Sequence, residues 1–200
     1  MHLIYYQVIY QLLFLHLIIQ NILGIINQKR VKLIHGPIAA KLFKFKETHA
    51  IYKTRNNLDD PNFDEKNEYK DVLIEYIKEN NIKYLLDLHV MANFRHQDIC
   101  IGTGLGKNIH NKLKLLSDME NKFIENGFIS TTIDDPFNAV YKHTVSATIA
   151  KRCKIPCFQI EINNKYVKNK YEEYALESVL NTIAEVVDLC IEDLENNKKD

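Results

Sequence analysis

Tryptophan is absent from this chain, and neither sign of charge is in excess. The 26 Lys and Arg residues are matched by 26 Asp and Glu, so the formal net charge is zero. Without a basic surplus or a basic face, nucleic-acid binding has no electrostatic support and is not expected. Cysteine is sparse. Cys100, Cys153, Cys157 and Cys190 are too few and too scattered for a disulfide framework, and Cys153 and Cys157 lie one residue too far apart for a redox pair. They read as ordinary thiols of a cytoplasmic protein. Internal repeats and interdomain linkers are missing too. Gly102, Gly104 and Gly106 fall short of the dinucleotide fingerprint, whose third glycine comes one residue later. No Lys-Ser or Lys-Thr follows them, which excludes a P-loop and leaves a loop beside a site.

One absence is local. Residues 1–27 contain no Lys, Arg, Asp or Glu. Residues 3–26 are long and apolar enough to span a bilayer, although Gln7, Gln11, His16, Gln20 and Asn21 dilute them. No basic start marks a signal peptide. Lys29, Arg30 and Lys32 follow, so an anchor would leave the domain on the cytoplasmic side. The segment 1–28 thus reads as an anchor, as a strand-helix unit of the core, or as a divergent start. Residues 29–200 read as a single domain, and 46% hydrophobic residues can supply its core.

What is present alternates between strand and helix. Helical periodicity covers 38–46, 68–79, 112–126, 144–151 and 172–194, with Gly127 as a C-cap. Strand-like runs cover 50–54, 83–88, 128–133 and 157–162, and turn residues cluster at 55–62 and 134–136. This order predicts a layered α/β sheet.

The chemistry concentrates after the run Tyr84-Leu85-Leu86-Asp87-Leu88-His89, where a polar loop carries Arg95 and Asp98 into Ile99-Cys100-Ile101-Gly102. A buried strand of this kind delivers an imidazole to the open end of a sheet, and Asp87 is spaced to orient the ring. Glu161 lies within Phe158-Gln159-Ile160-Glu161-Ile162-Asn163. A carboxylate on a core-like strand is unfavourable unless it is paired or does work, so a salt-bridged edge Glu and a functional Glu both stand. Asp59, Asp60 and Asp64 read as solvated turn residues. His89 alone among eight histidines has a strand-end context, and no zinc ligand set follows from spacing.

Asp87-Leu88-His89, Arg95, Asp98-Ile99, Ile101-Gly102-Thr103, Gln159-Ile160-Glu161-Ile162-Asn163 and Tyr166 together resemble the N-formylglutamate amidohydrolase family, most of all its shorter clostridial-type members. Asp59-Asp60-Pro61-Asn62 and Thr144-Val145-Ser146 agree as well, and the resemblance covers about residues 47 to 170. It implies a three-layer α/β domain, a mixed sheet flanked by helices, similar to zinc-dependent carboxypeptidase and amidohydrolase folds. The implied activity is hydrolysis of the amide bond of an N-formyl or N-acyl amino acid. His89 would be a zinc ligand, Glu161 the catalytic carboxylate, and Arg95 a catalytic and substrate-binding cation. Asn62 and Asn163 would bind substrate.

The chain departs from the family in three places. Members begin with a strand ending in Pro-His, which the first 34 residues lack. His16 and His35 are the early histidines that remain, with His35 the candidate second ligand. Val90 replaces a usual Gly, and Val167 replaces an Arg. Activity is therefore expected to be retained, weakened or lost. The alternative is a non-catalytic binding domain, either membrane-tethered or cytosolic.

Overall fold

The computed structural model describes residues 15–19, 48–52, 59–167 and 173–197. The expected helix at 38–46, His35 and most of the apolar head lie outside them. Six strands form one mixed sheet. They are β1 (Leu15–Ile19), β2 (Thr48–Tyr52), β3 (Tyr84–Met91), β4 (Ile99–Gly102), β5 (Thr131–Ile133) and β6 (Cys157–Asn163), in the spatial order β2-β1-β3-β6-β4-β5. The pairs β3·β6 and β4·β5 are parallel, and the other three are antiparallel. Four helices accompany the strands: α1 (Glu68–Glu79), α2 (Leu113–Glu125), α3 (Val145–Cys153) and α4 (Glu173–Asn196). The architecture is three-layer α/β, as expected.

The two faces of β3 and β6 follow from strand alternation. Leu86, Leu88, Phe158, Ile160 and Ile162 pack with α2 and α4 through Met119, Phe123, Val179, Ile183 and Val187. On the opposite face Leu85 and Cys157 meet Leu73, Ile74 and Ile77 of α1 and Val145 and Ile149 of α3. Further along that same face the side chains turn polar, with Asp87, Gln159, His89 and Glu161 all buried.

Local rules explain the element ends. The Asn67 side chain accepts from the Tyr69 amide and caps α1, while the Thr144 hydroxyl accepts from the Ala147 amide and caps α3. Gly127, at φ +94°, closes α2 in a left-handed turn in which the Phe128 amide returns to the Phe123 carbonyl. The strand expected at 128–133 begins only at Thr131. Phe128 instead turns inward, edge-on to the rings of Phe123 and Tyr166, and the Ser130 amide donates to the Asp98 carboxylate.

Five residues of the uncharged head form β1, which pairs with β3 and places His16 opposite Asp87 in the backbone register. Among the described residues, no helix is long and apolar enough to cross a membrane. All four cysteines are free.

Candidate active site

His89 and Glu161 are register partners on adjacent parallel strands, near the carboxyl ends of both. Asp87 and Gln159 are partners two residues earlier, so the four side chains form a square on one face. This is the end of a parallel pair where α/β proteins place ligands. β6 lies between β3 and β4, so Glu161 is on a central strand, not an edge.

The square is held together by hydrogen bonds. His89 Nε2 lies 2.7 Å from Asp87 Oδ1, and Asp87 Oδ2 accepts from the Ser146 hydroxyl at 3.0 Å. Gln159 Nε2 donates to Glu161 Oε1 at 3.0 Å. Asn62 Oδ1 accepts from the Val145 amide at 2.8 Å, which fixes the side-chain amide and leaves Nδ2 3.3 Å from His89 Nε2. A proton on Nε2 serves the shorter contact to Asp87, so the Asn62 amide lies alongside the ring as a second donor facing the site.

Electrostatics follow from burial and pairing. Burial works to lower the His89 pKa, but the Asp87 carboxylate outweighs it by charge and by hydrogen bond. Glu161 and Asp60 add to that, and the imidazole is held up at about 9. Burial raises the Glu161 pKa, with His89 and Arg95 pulling against it and Asp87 adding to it. The pair is thus an imidazolium beside a carboxyl group that takes a proton more readily than usual.

Arg95 comes from the turn after β3. Its guanidinium carbon lies 5.1 Å from the Phe137 ring centre and 5.6 Å from that of Phe94. Its Nε is buried and has no hydrogen-bond partner among the described residues. Asn163 is fully buried and holds this turn from below, donating to the carbonyls of Arg95 at 3.1 Å and Gln97 at 2.8 Å. These bonds hold the turn that carries Arg95.

The three acidic turn residues have definite work. Asp60 accepts from the Asn62 amide, Asp64 from the Asp60 amide, and Asp59 from the Asn67 side chain, and together they shape the turn that presents Asn62.

Lys70, unremarkable in the sequence, is only 2% exposed and donates to the main-chain carbonyls of Asp64 at 2.5 Å and His143 at 2.8 Å. It ties the Asn62 turn to the segment leading into Ser146. Its spacing from Leu73, Ile74 and Ile77 puts it on the buried face of α1. A lysine within an otherwise apolar helical stripe was the available signal.

A zinc ion needs three or four ligands. No group of three His, Cys, Asp or Glu among the described residues is arranged to hold a metal, and His89 Nε2 already faces Asp87. The described residues by themselves do not fit a zinc site.

No family model and no curated protein matches the chain. Similar solved structures include the following two. N-formylglutamate amidohydrolase from Ralstonia eutropha JMP134 is 18% identical, with a TM-score of 0.47, over 60% of this chain and 50% of that one. A gene product of Agrobacterium tumefaciens is 17% identical, with a TM-score of 0.42, over 63% of this chain and 49% of that one. The chain spans about half the length of either. Likeness at this level is a remote relationship of fold alone.

Proposed function

We propose that the chain is an amide hydrolase acting on N-formyl or N-acyl amino acids in the cytoplasm. The observation that carries this reading is the buried pairing of Glu161 with His89 across β6 and β3, with Asp87 behind the imidazole. The motif resemblance of Asp87-Leu88-His89 and Gln159-Ile160-Glu161-Ile162-Asn163 supports it.

In this reading Glu161 takes a proton from a water molecule, whose oxygen attacks the amide carbon. Negative charge then develops on the carbonyl oxygen, where the His89 imidazolium and the Asn62 amide stabilise it. Glu161 returns the proton to the leaving nitrogen as the carbon–nitrogen bond breaks, giving a carboxylic acid and a free amine. The raised pKa of Glu161 suits a group that must accept and then release a proton. Arg95 offers two parallel donors to the substrate carboxylate.

None of these steps runs through a metal. Zinc binding is the alternative role of the same residue: His89 as a neutral imidazole, with the expected second ligand His35, would hold the ion in place of acting as an imidazolium. Elemental analysis of the purified chain decides that part: about one zinc per chain supports it, and none removes it.

The test is hydrolysis of a panel of N-formyl and N-acetyl amino acids by the full chain and by Glu161→Gln. Turnover that disappears in the variant supports the reading. A folded chain that cleaves no member of the panel overturns it.

A further inference from the structure

The rings of Phe94 and Phe137 lie against the Arg95 guanidinium, and two further aromatic residues stand on the neighbouring segments. Phe63 directly follows Asn62 and is 80% exposed. Phe94 directly precedes Arg95 and is 74% exposed. Phe137 and Tyr141 belong to the segment between β5 and α3, with Tyr141 75% exposed.

That segment is seated firmly. A Cβ at Gly102 would lie 2.7 Å from the Phe137 carbonyl oxygen, so only glycine lets the chain cross the sheet there. Cys100, the register partner of Glu161, donates to the same carbonyl. At its far end the Tyr141 carbonyl accepts from the Thr144 amide, and the next amide, Val145, donates to Asn62. The segment therefore runs from the Phe137 ring at the guanidinium to the Asn62 turn. Aromatic rings beside a half-buried cation, one of them exposed as Phe94 is, offer a surface for an apolar group.

The charges nearby supply the second constraint. Arg95 has a ring on its guanidinium carbon from both Phe94 and Phe137, and its buried Nε lacks an acceptor among the described residues. Such an orphaned donor is costly until an anion arrives, and a carboxylate matches it in geometry. Beyond that fork acids outnumber the one cation. Asp87, Glu161 and Asp60 all lie close enough to act on the His89 imidazolium. A second carboxylate on the ligand would meet these acids and the rings.

We infer that the site takes an N-acyl amino acid with one carboxylate and an apolar, aromatic-sized side chain rather than an acidic one. This rests on the location of the site proposed above, but not on its chemistry.

Calorimetry on the full chain, and on the chain carrying Glu161→Gln, compares N-formyl-L-phenylalanine with N-formyl-L-glutamate. The phenylalanine derivative is expected to bind at least about tenfold more tightly, the scale of discrimination an apolar pocket provides. Arg95→Gln should remove binding of both, and Phe94→Ala, at an exposed position, should weaken the phenylalanine derivative several-fold. Equal or tighter binding of the glutamate derivative overturns the inference, as does a folded chain that binds neither. Binding of the phenylalanine derivative without cleavage sinks the hydrolase reading and leaves this one standing. Preferred cleavage of the glutamate derivative does the reverse.

Discussion

The two faces of β3 and β6 are equally buried and chemically opposite. Leu86, Leu88, Phe158, Ile160 and Ile162 meet the apolar side chains of helices α2 and α4. On the other face, Leu85 and Cys157 begin as core, and the next positions are Asp87, Gln159, His89 and Glu161. Burial by itself therefore does not distinguish core from site. The difference lies in how each buried group is accommodated. Apolar side chains need only fill space, whereas each buried polar group here has a partner: Ser146 for Asp87, Asp87 for His89, Gln159 for Glu161. A face assembled this way is less stabilising than an apolar one, and such a break in local consistency is expected where a protein carries a functional site.

The largest test of this contrast sets one residue of each face against the other. Glu161→Gln is expected to reduce turnover by about 10²–10⁴-fold, the range for loss of a general base. Its thermal midpoint should stay level or rise, because a carboxylate that resists ionisation is removed. Phe158→Ala should do the opposite, with a loss of about 3–5 kcal/mol in urea unfolding from a fully buried ring. If Glu161→Gln proves as destabilising as Phe158→Ala, the polar face is merely structural.

The next test uses pH. The folded pKa of His89, about 9, lies above the ordinary histidine value of 6.5. A raised cationic group contributes stability that is fully present below the unfolded pKa and is lost as pH rises through the folded one. Unfolding free energy should accordingly fall between about pH 6.5 and 9, by up to about 3 kcal/mol from this group. Glu161, also raised, acts in the same direction. In Asp87→Asn that fall should largely vanish, and a slope unchanged by the substitution would show that Asp87 does not hold the imidazolium.

Smaller effects are expected away from the square. Lys70→Met keeps the length of the side chain but leaves two carbonyls without donors, a loss of about 1–3 kcal/mol. Turnover should fall with it as the Asn62 turn and the α3 entrance drift apart, and steady-state kinetics would show whether the two losses travel together. Smallest of all is Lys114→Ala. Its ion pair with Asp118 is exposed on α2, and no measurable change in stability or activity is expected.

Much of the fold was legible along the chain. The helix expected at 68–79 matches α1, and those expected at 112–126 and 144–151 differ from α2 and α3 by a residue or two at each end. Their periodicity is a local property. The expected strand at 128–133 is shorter because Phe128 found a better place in the core than in a ladder. Within the site, the Asp87–His89 pairing was readable because residues two apart on a strand share a face. The clamp made by Lys70 was not, since its partners are main-chain carbonyls supplied by two distant turns.

Sequence alone determined the α/β alternation, the strand that carries Asp87 and His89 to its open end, and the unusual presence of Glu161 among isoleucines. All three depend on spacing along one element. Only the tertiary structure decided that β3 and β6 are parallel neighbours in the register that sets His89 beside Glu161. It alone brought Asn62 and Ser146 to the same imidazole–carboxylate pair, and laid Arg95 against two phenyl rings. Register and loop crossing are set by packing between segments far apart in the chain, and no local pattern encodes them.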